Sequence, residues 1–332
     1  MGSYEDSDGY KYVYTLYYNS SAGKLIPVEG EDGKTRYGMV IFQGLLAFWG
    51  FLANLILIIA LASSKSARRL VITLYILSLT TIQLLMCVVN LPFAVYDDLH
   101  KWSLGQRFCE AWVLMDVTLS CISALVIVMM NIDRLMFVLD AKRYVKNMKV
   151  IALILMVIFP WLLGISLVII IWVKGKQIFP DFPGMCVYAL HKEYAMVSPF
   201  VMYFIPALII LGLTFAILVT VVLHPHHRQP PDGTHMFDEQ GQPQLPYPFR
   251  EHNSLFSVCL VNFFFLAMSF PYNCENAVMA FCETDNCMPP SDRPHIFYLL
   301  GISFLGLNPL LWLTYQEVRG AFLRIFENIC KR

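Results

Sequence analysis

One apolar stretch of this chain carries a carboxylate at one end and a guanidinium at the other. Between Ala111 and Val138, Asp116, Ser120, Ser123, Ile127, Met130 and Arg134 recur at intervals of four, three, four, three and four. At about 100° per residue, the eighteen positions from Asp116 to Arg134 close five whole turns, so both charges lie on one helical face, about 27 Å apart. A charge inside so apolar a helix is costly unless it faces the interior of a bundle with a partner or a function. Asp116, two turns from Cys109, must be protonated, paired with a cation of the protein, or kept for an incoming cation. No Lys or Arg stands at comparable depth in the other apolar runs, which favours a cationic ligand. The competing reading is a hydrogen-bonded, protonated Asp with Tyr298 as its donor. Arg134 follows Asp133, and Glu251 opens the sixth apolar run on the same side; one Arg with two alternative partners is what a switch needs. Its competing reading is plain anchoring by a cytoplasmic cation.

The elements that must position these groups are membrane helices. Composition says so first: 57% hydrophobic against 14% charged residues, with a mean hydropathy of +0.57, leaves too little polar surface for water. A net charge of zero gives no bias toward nucleic acid. Apolar runs long enough to cross a bilayer recur at Met39–Ala62, Leu70–Val95, Ala111–Val138, Val150–Val173, Val197–Leu223, Leu255–Phe281 and Ile296–Tyr315. An odd number of spans puts the two chain ends on opposite sides. With the N-terminus outside, thirteen Lys and Arg residues fall in the inner segments and ten in the outer ones, with Lys11 and Lys24 far from any span. The sequence therefore predicts an all-α membrane bundle of seven helices over 38–315. An outer tail over 1–37 precedes it, and an inner amphipathic helix and tail over 316–332 follow.

Smaller features fit that layout. Residues Met1 to Arg36 are polar and acidic with no apolar core after a basic start, so the first apolar helix is expected to do the targeting. Asn19-Ser20-Ser21 is a glycosylation acceptor if that tail is outside. Pro92, Pro160, Pro206, Pro271 and Pro309 interrupt five spans and predict kinks, tolerated where neighbouring helices satisfy the freed carbonyls. The polar stretch His224 to Arg250, rich in Pro, Gly, Gln and His, reads as a mobile inner loop. Val318, Phe322, Ile325, Phe326 and Ile329 share one face of a short helix at the inner membrane surface, with Cys330 beside it as a palmitoylation site.

Taken in order, these motifs resemble the rhodopsin-like family of G-protein-coupled receptors over roughly Gly38 to Ile329. Asn54 in Gly50-Phe51-Leu52-Ala53-Asn54 resembles the first-span Asn, and Trp102, Gly105 and Cys109 resemble the first outer loop's W-x-x-G-x-x-x-C. Asp133-Arg134-Leu135 resembles Asp-Arg-Tyr, Trp161 the fourth-span Trp, Pro206 and Pro271 the fifth- and sixth-span prolines, and Asn308-Pro309-Leu310-Leu311-Trp312 resembles N-P-x-x-Y. The resemblance implies a disulfide between Cys109 and Cys186 over the pocket, on the oxidising side of the membrane. Cys282 and Cys287 could close a second ring in the third outer loop. It also implies a plasma-membrane receptor whose partners are an extracellular ligand, a heterotrimeric G protein and membrane lipids, with no cofactor, no metal, no nucleic acid and no enzymatic activity. Asn308 and Pro309 would join Asp133, Arg134 and Glu251 in its switch.

Within that family the pocket is most similar to those of biogenic-amine receptors. Asp116 matches their amine-binding Asp, with Trp112 and Val117 flanking it and Ser120 one turn on; Tyr272, Asn273 and Tyr298 resemble an aromatic cage suited to an ammonium. Ser198 matches one of the fifth-span serines that meet catechols, but Pro199 and Met202 occupy the other two places, which speaks against a catechol. Further departures are Gln83 for the sodium-binding Asp, Ser269 for the sixth-span Trp, Thr214 for the fifth-span Tyr and Trp312 for the Tyr of N-P-x-x-Y. Ile302 stands where opsins carry the retinal Lys, which excludes a retinal pigment. The alternative ligand is a peptide or chemokine-like protein, since Pro271-Tyr272-Asn273 also occurs in chemokine receptors and Tyr4, Tyr10 and Tyr12 lie among acids in the tail. That tail otherwise reads as solvated and without regular structure. A transporter or channel would want paired half-sequences or rings of like charge, and neither is present.

Overall fold

The computed structural model describes residues 33–65, 67, 70–140, 144, 150–176, 186, 188, 190–223, 254–281 and 293–330, with short strands at 2–5, 11–19, 24–28, 236–237 and 243–244. Helices α1 (Gly33–Ser63), α2 (Val71–Leu99), α3 (Gln106–Leu139) and α4 (Val150–Gly175) come first. They are followed by α5, which runs from Lys192–Pro199 through Ile205–Leu223, then α6 (Leu255–Phe281), α7 (Arg293–Trp312) and α8 (Gln316–Cys330). The first six are each long and apolar enough to cross a membrane. The seventh span, α7, turns by 86° into α8. That sharp turn separates a spanning helix from an amphipathic one, as the one-sided apolar pattern of α8 requires; Val318 from that face is fully buried against the bundle.

The core runs down the middle of the bundle through side chains such as Leu57, Ile76, Leu79, Ile127, Ile210 and Val261. Its outer face is also apolar: Phe48, Leu162, Leu208, Phe215, Val222 and Phe263 are all more than 60% exposed, which suits lipid and not water. Buried polar groups therefore have to be satisfied within the bundle. Asn54 of α1 shows how, because Pro309 lacks the N–H that would bond the Leu305 carbonyl. The Asn54 amide donates to that carbonyl at 3.0 Å. Trp49 of α1 donates to the carbonyl of Gly306 at 3.1 Å, and a Cβ on Gly306 would lie 2.7 Å from the Trp49 ring, so this close approach needs glycine.

Two of the expected proline kinks take a specific form. Ahead of Pro92, residues Met86–Asn90 widen into a π turn, and Phe200–Phe204 do the same ahead of Pro206. In each, the residue after the turn bonds the carbonyl five positions back: Leu91 to Met86 and Ile205 to Phe200. The longer loop makes room for the proline ring and inserts one residue, which rotates everything beyond it relative to an ideal helix. Pro160, Pro271 and Pro309 sit inside α4, α6 and α7.

The N-terminal tail departs from the expectation of no regular structure. Its strands Gly2–Glu5, Lys11–Asn19 and Lys24–Val28 pair antiparallel in that order. The Tyr-rich run Lys11–Asn19, with Val13 and Thr15, has the composition that favours strands. Asn19 ends the second strand. In the segment between α5 and α6, Met236–Phe237 pairs with Pro243–Gln244. Glu251, Cys282 and Cys287 lie outside the described residues, and Cys330 is described only as the last residue of α8.

Candidate functional site

Helices α2, α3, α5, α6 and α7 enclose a cavity of about 590 Å³ at the end of the bundle that carries the disulfide. Its central polar group is Asp116 of α3, whose Oδ1 accepts a hydrogen bond from Asn90 Nδ2 at 2.5 Å. Asn90 is the last residue of the π turn in α2, and its backbone carbonyl in turn accepts from the Trp112 indole at 3.2 Å. The neutral donor expected for Asp116 was Tyr298; the structure supplies Asn90 in its place. No Lys or Arg lines the cavity among the described residues.

Seven of the eight residues read as ligand contacts line this one space: Asp116, Val117, Ser120, Ser198, Tyr272, Asn273 and Tyr298. Tyr272 and Tyr298 meet edge to face with centroids 5.6 Å apart, forming an aromatic wall on the α6 and α7 side. Asn273 donates to the Ser269 carbonyl at 2.8 Å and Ser198 to the Ala195 carbonyl at 3.3 Å, so both are held by their own helices. Trp112 is the eighth. It lies outside the cavity lining and stacks on Trp102 with centroids 5.4 Å apart, against the disulfide, because its position on α3 turns it toward α2. Its contribution to the site passes through Asn90.

The mouth of the cavity is fixed from the outer loops. Cys109 and Cys186 are joined as the resemblance implies, with Cα atoms 5.4 Å apart. The Lys176 ammonium meets Glu110 at 2.6 Å, and Lys176 pairs with Leu190 as an isolated bridge, so α3, the end of α4 and the second outer loop are tied together. Tyr188 and Leu190 of that loop line the cavity. Burial and the nearby Glu110 carboxylate push the Tyr188 hydroxyl up to about 12, which keeps it a neutral donor at neutral pH.

At the other end of α3, Arg134 is fully buried. Its Nε donates to Asp133 at 2.9 Å, a second nitrogen pairs with the same carboxylate oxygen, and Nη1 reaches Ser254 Oγ at 3.3 Å. Tyr144 donates to the other Asp133 oxygen at 2.6 Å, and the guanidinium lies 5.4 Å from the Phe137 ring centre. Ser254 immediately precedes α6, so Arg134 joins the third and sixth spans there.

Between the two ends lie contacts that sequence reasoning missed. Asn131 and Asn262 exchange amide hydrogen bonds at 3.0 and 2.7 Å, and Asn262 also donates to Thr214 at 2.8 Å. This buried clasp joins α3, α5 and α6, with Thr214 standing where the resemblance led us to expect Tyr. Nearby, Asn308 donates to Gln83 Oε1 at 2.8 Å, linking α7 to α2 through neutral amides. Trp312 is fully buried, and its indole nitrogen has no hydrogen-bond partner among the described residues.

Residues 53–312 match the family model for the 7 transmembrane receptor (rhodopsin family). Over 94% of its length the chain is 26% identical to "Dopamine receptor 1" of Drosophila melanogaster, across 68% of that protein. It is 25% identical to the "D(5)-like dopamine receptor" of Takifugu rubripes, over 90% of the chain and 68% of the relative. Against the "D(1A) dopamine receptor" of Didelphis virginiana the identity is 24%, over 88% and 73%.

Proposed function

The chain belongs to the rhodopsin family of seven-transmembrane receptors, and from that premise we propose that it binds a small cationic amine from outside the cell, with Asp116 as counter-ion, and signals through a heterotrimeric G protein. The observation that carries the ligand class is the Asp116 carboxylate facing a cavity of about 590 Å³ that has no described Lys or Arg in its lining. Asn90 gives the carboxylate a neutral hydrogen bond and leaves its charge unmatched. An ammonium would supply the missing charge, and the Tyr272 and Tyr298 faces would stabilise it further. The matched dopamine receptors support an amine as the ligand. Pro199 and Met202 line the α5 wall, an apolar surface suited to an amine without a catechol.

Signalling would use the far end of α3. A ligand that binds one packing of the bundle more tightly shifts its population, and the G protein reads the released inner face. Arg134, tied to Asp133 and to Ser254 at α6, is the group whose release opens that face. Glu251 is the second partner proposed for it. The receptor would stand in the plasma membrane with residues 1–37 outside and α8 along the inner surface.

The test is Asp116→Asn, which keeps the shape but removes the charge. Affinity for an activating amine should fall about 100-fold or more, the consequence of losing about 3 kcal/mol when one member of a buried ion pair is neutralised. Radioligand or calorimetric binding on the purified receptor reads it. Unchanged affinity at equal folded yield would sink the amine reading and favour a peptide ligand.

A further inference from the structure

The cavity continues past Asp116. Ser120 and Ser123 stand four and seven residues along α3, so on the helix axis the space reaches about 6 Å and then about 10 Å below the carboxylate. Both serines line it, as do Ser269, Phe304 and, at the bottom, Gln83. Ser269 lies three residues below Tyr272 on α6 and lines the passage with a hydroxymethyl group in place of a large ring. The upper and lower parts therefore form one continuous space.

Gln83 is only 1% exposed, yet half of its amide is unused. Its Oε1 accepts from Asn308, while Nε2 has no hydrogen-bond partner among the described residues; Asn308 Oδ1 lacks one there as well. Reversing both amides would exchange donor for acceptor on each residue and leave the same number unmet. A buried amide left in this state costs about 1–3 kcal/mol, which a group entering from the cavity would recover. That group is neutral, since the lower part is lined by amide, hydroxyl and apolar side chains without a charge. A hydroxyl satisfies either orientation of the amides, because it both donates and accepts.

We propose that this lower lobe is a second subsite, which takes a neutral hydroxyl or carbonyl group carried about 10 Å from the ligand's ammonium, with Gln83 as its recognition residue. The inference rests on the amine reading for the position of the ammonium. An apolar spacer between the two polar ends would pack on Phe265 and Phe304, whose rings meet at 5.6 Å beside the passage.

Two probes with the same eight-carbon chain test it on the purified full chain: 8-aminooctan-1-ol, whose extended chain sets its hydroxyl near that distance from the nitrogen, and octylamine, which lacks the hydroxyl. Calorimetry should find the amino alcohol about tenfold tighter, the usual increment for one satisfied buried hydrogen bond. The ratio should fall to near one in Gln83→Leu and shrink in Ser123→Ala. Access is measured separately by peptide mass spectrometry after methyl methanethiosulfonate treatment. Gln83→Cys should be labelled much faster than Ile82→Cys, whose position is equally buried but outside the cavity lining, and octan-1-ol should protect it. Equal affinity of the two amines in the unaltered receptor, or a ratio that survives Gln83→Leu, overturns the subsite. Labelling of Gln83→Cys no faster than Ile82→Cys overturns it too. If neither amine binds, the amine reading fails instead, and labelling with octan-1-ol protection still decides whether the lobe takes a hydroxyl.

Discussion

Asp116 of α3 accepts a hydrogen bond from Asn90, a residue of a different helix. The spacing of Asp116, Ser120 and Arg134 follows one uninterrupted helix, so their common face was legible from the residue numbers, and resemblance added Val117, Ser198, Tyr272, Asn273 and Tyr298 to the same space. Asn90 was not legible, because it lies on a π turn whose extra residue rotates it away from its ideal-helix position. Trp112 precedes Asp116 by four residues, about 40° around the helix axis and one turn along it, and there it packs on Trp102. A carboxylate held by one amide is oriented as well as solvated, so Asn90→Leu should weaken amine binding while leaving the charge of Asp116 in place. The expected loss is about tenfold to hundredfold, corresponding to about 1.5–3 kcal/mol for a hydrogen bond to a charged group. Asn90→Ser should recover part of it. Binding isotherms on the two variants measure this, and full affinity in Asn90→Leu would show that Asp116 is positioned by its helix alone.

Polar groups join the helices of this bundle, and several of these junctions span elements far apart in sequence. Asn54 meets Leu305, Asn308 meets Gln83, and Asn131 meets Asn262 and Thr214. None of these partnerships can be read from periodicity, which gives the face of each helix but not its neighbour or its height. The span limits themselves were legible, since Leu255–Phe281 holds as expected and the others shift mainly by extension at polar ends. The clasp among α3, α5 and α6 makes a distinct prediction. Asn131→Leu or Asn262→Leu alone strands a buried amide and should cost about 1–3 kcal/mol, lowering the melting temperature. The double variant should be no less stable than either single one, because the stranded partner is gone. The clasp also resists separation of α6 from α3, so Asn262→Leu should raise ligand-independent signalling at equal surface expression. Additive losses in thermal melts of the purified variants would mean that the two amides do not act as a pair.

For the molecule as a whole, the orientation in the membrane follows from charge placement and from where the two sites lie. The cavity and the Cys109–Cys186 disulfide share one end of the bundle, and Arg134 lies at the other. A disulfide persists on the oxidising side, which supports the proposed outward-facing cavity. The Lys and Arg excess independently supports the proposed inner position of the segment between α5 and α6. These arguments share no residue, since one uses cysteines and the other cations away from them. An epitope tag inserted within residues 224–250 should therefore bind antibody only after cells are permeabilised, and a tag ahead of residue 33 should bind on intact cells. Glycosidase treatment should increase the gel mobility of the unaltered receptor and leave Asn19→Gln unchanged, because Asn19-Ser20-Ser21 would face the lumen during synthesis. Labelling of the 224–250 tag on intact cells would reverse the orientation. It would also put Asp116 on the cytoplasmic side, out of reach of an amine that arrives from outside.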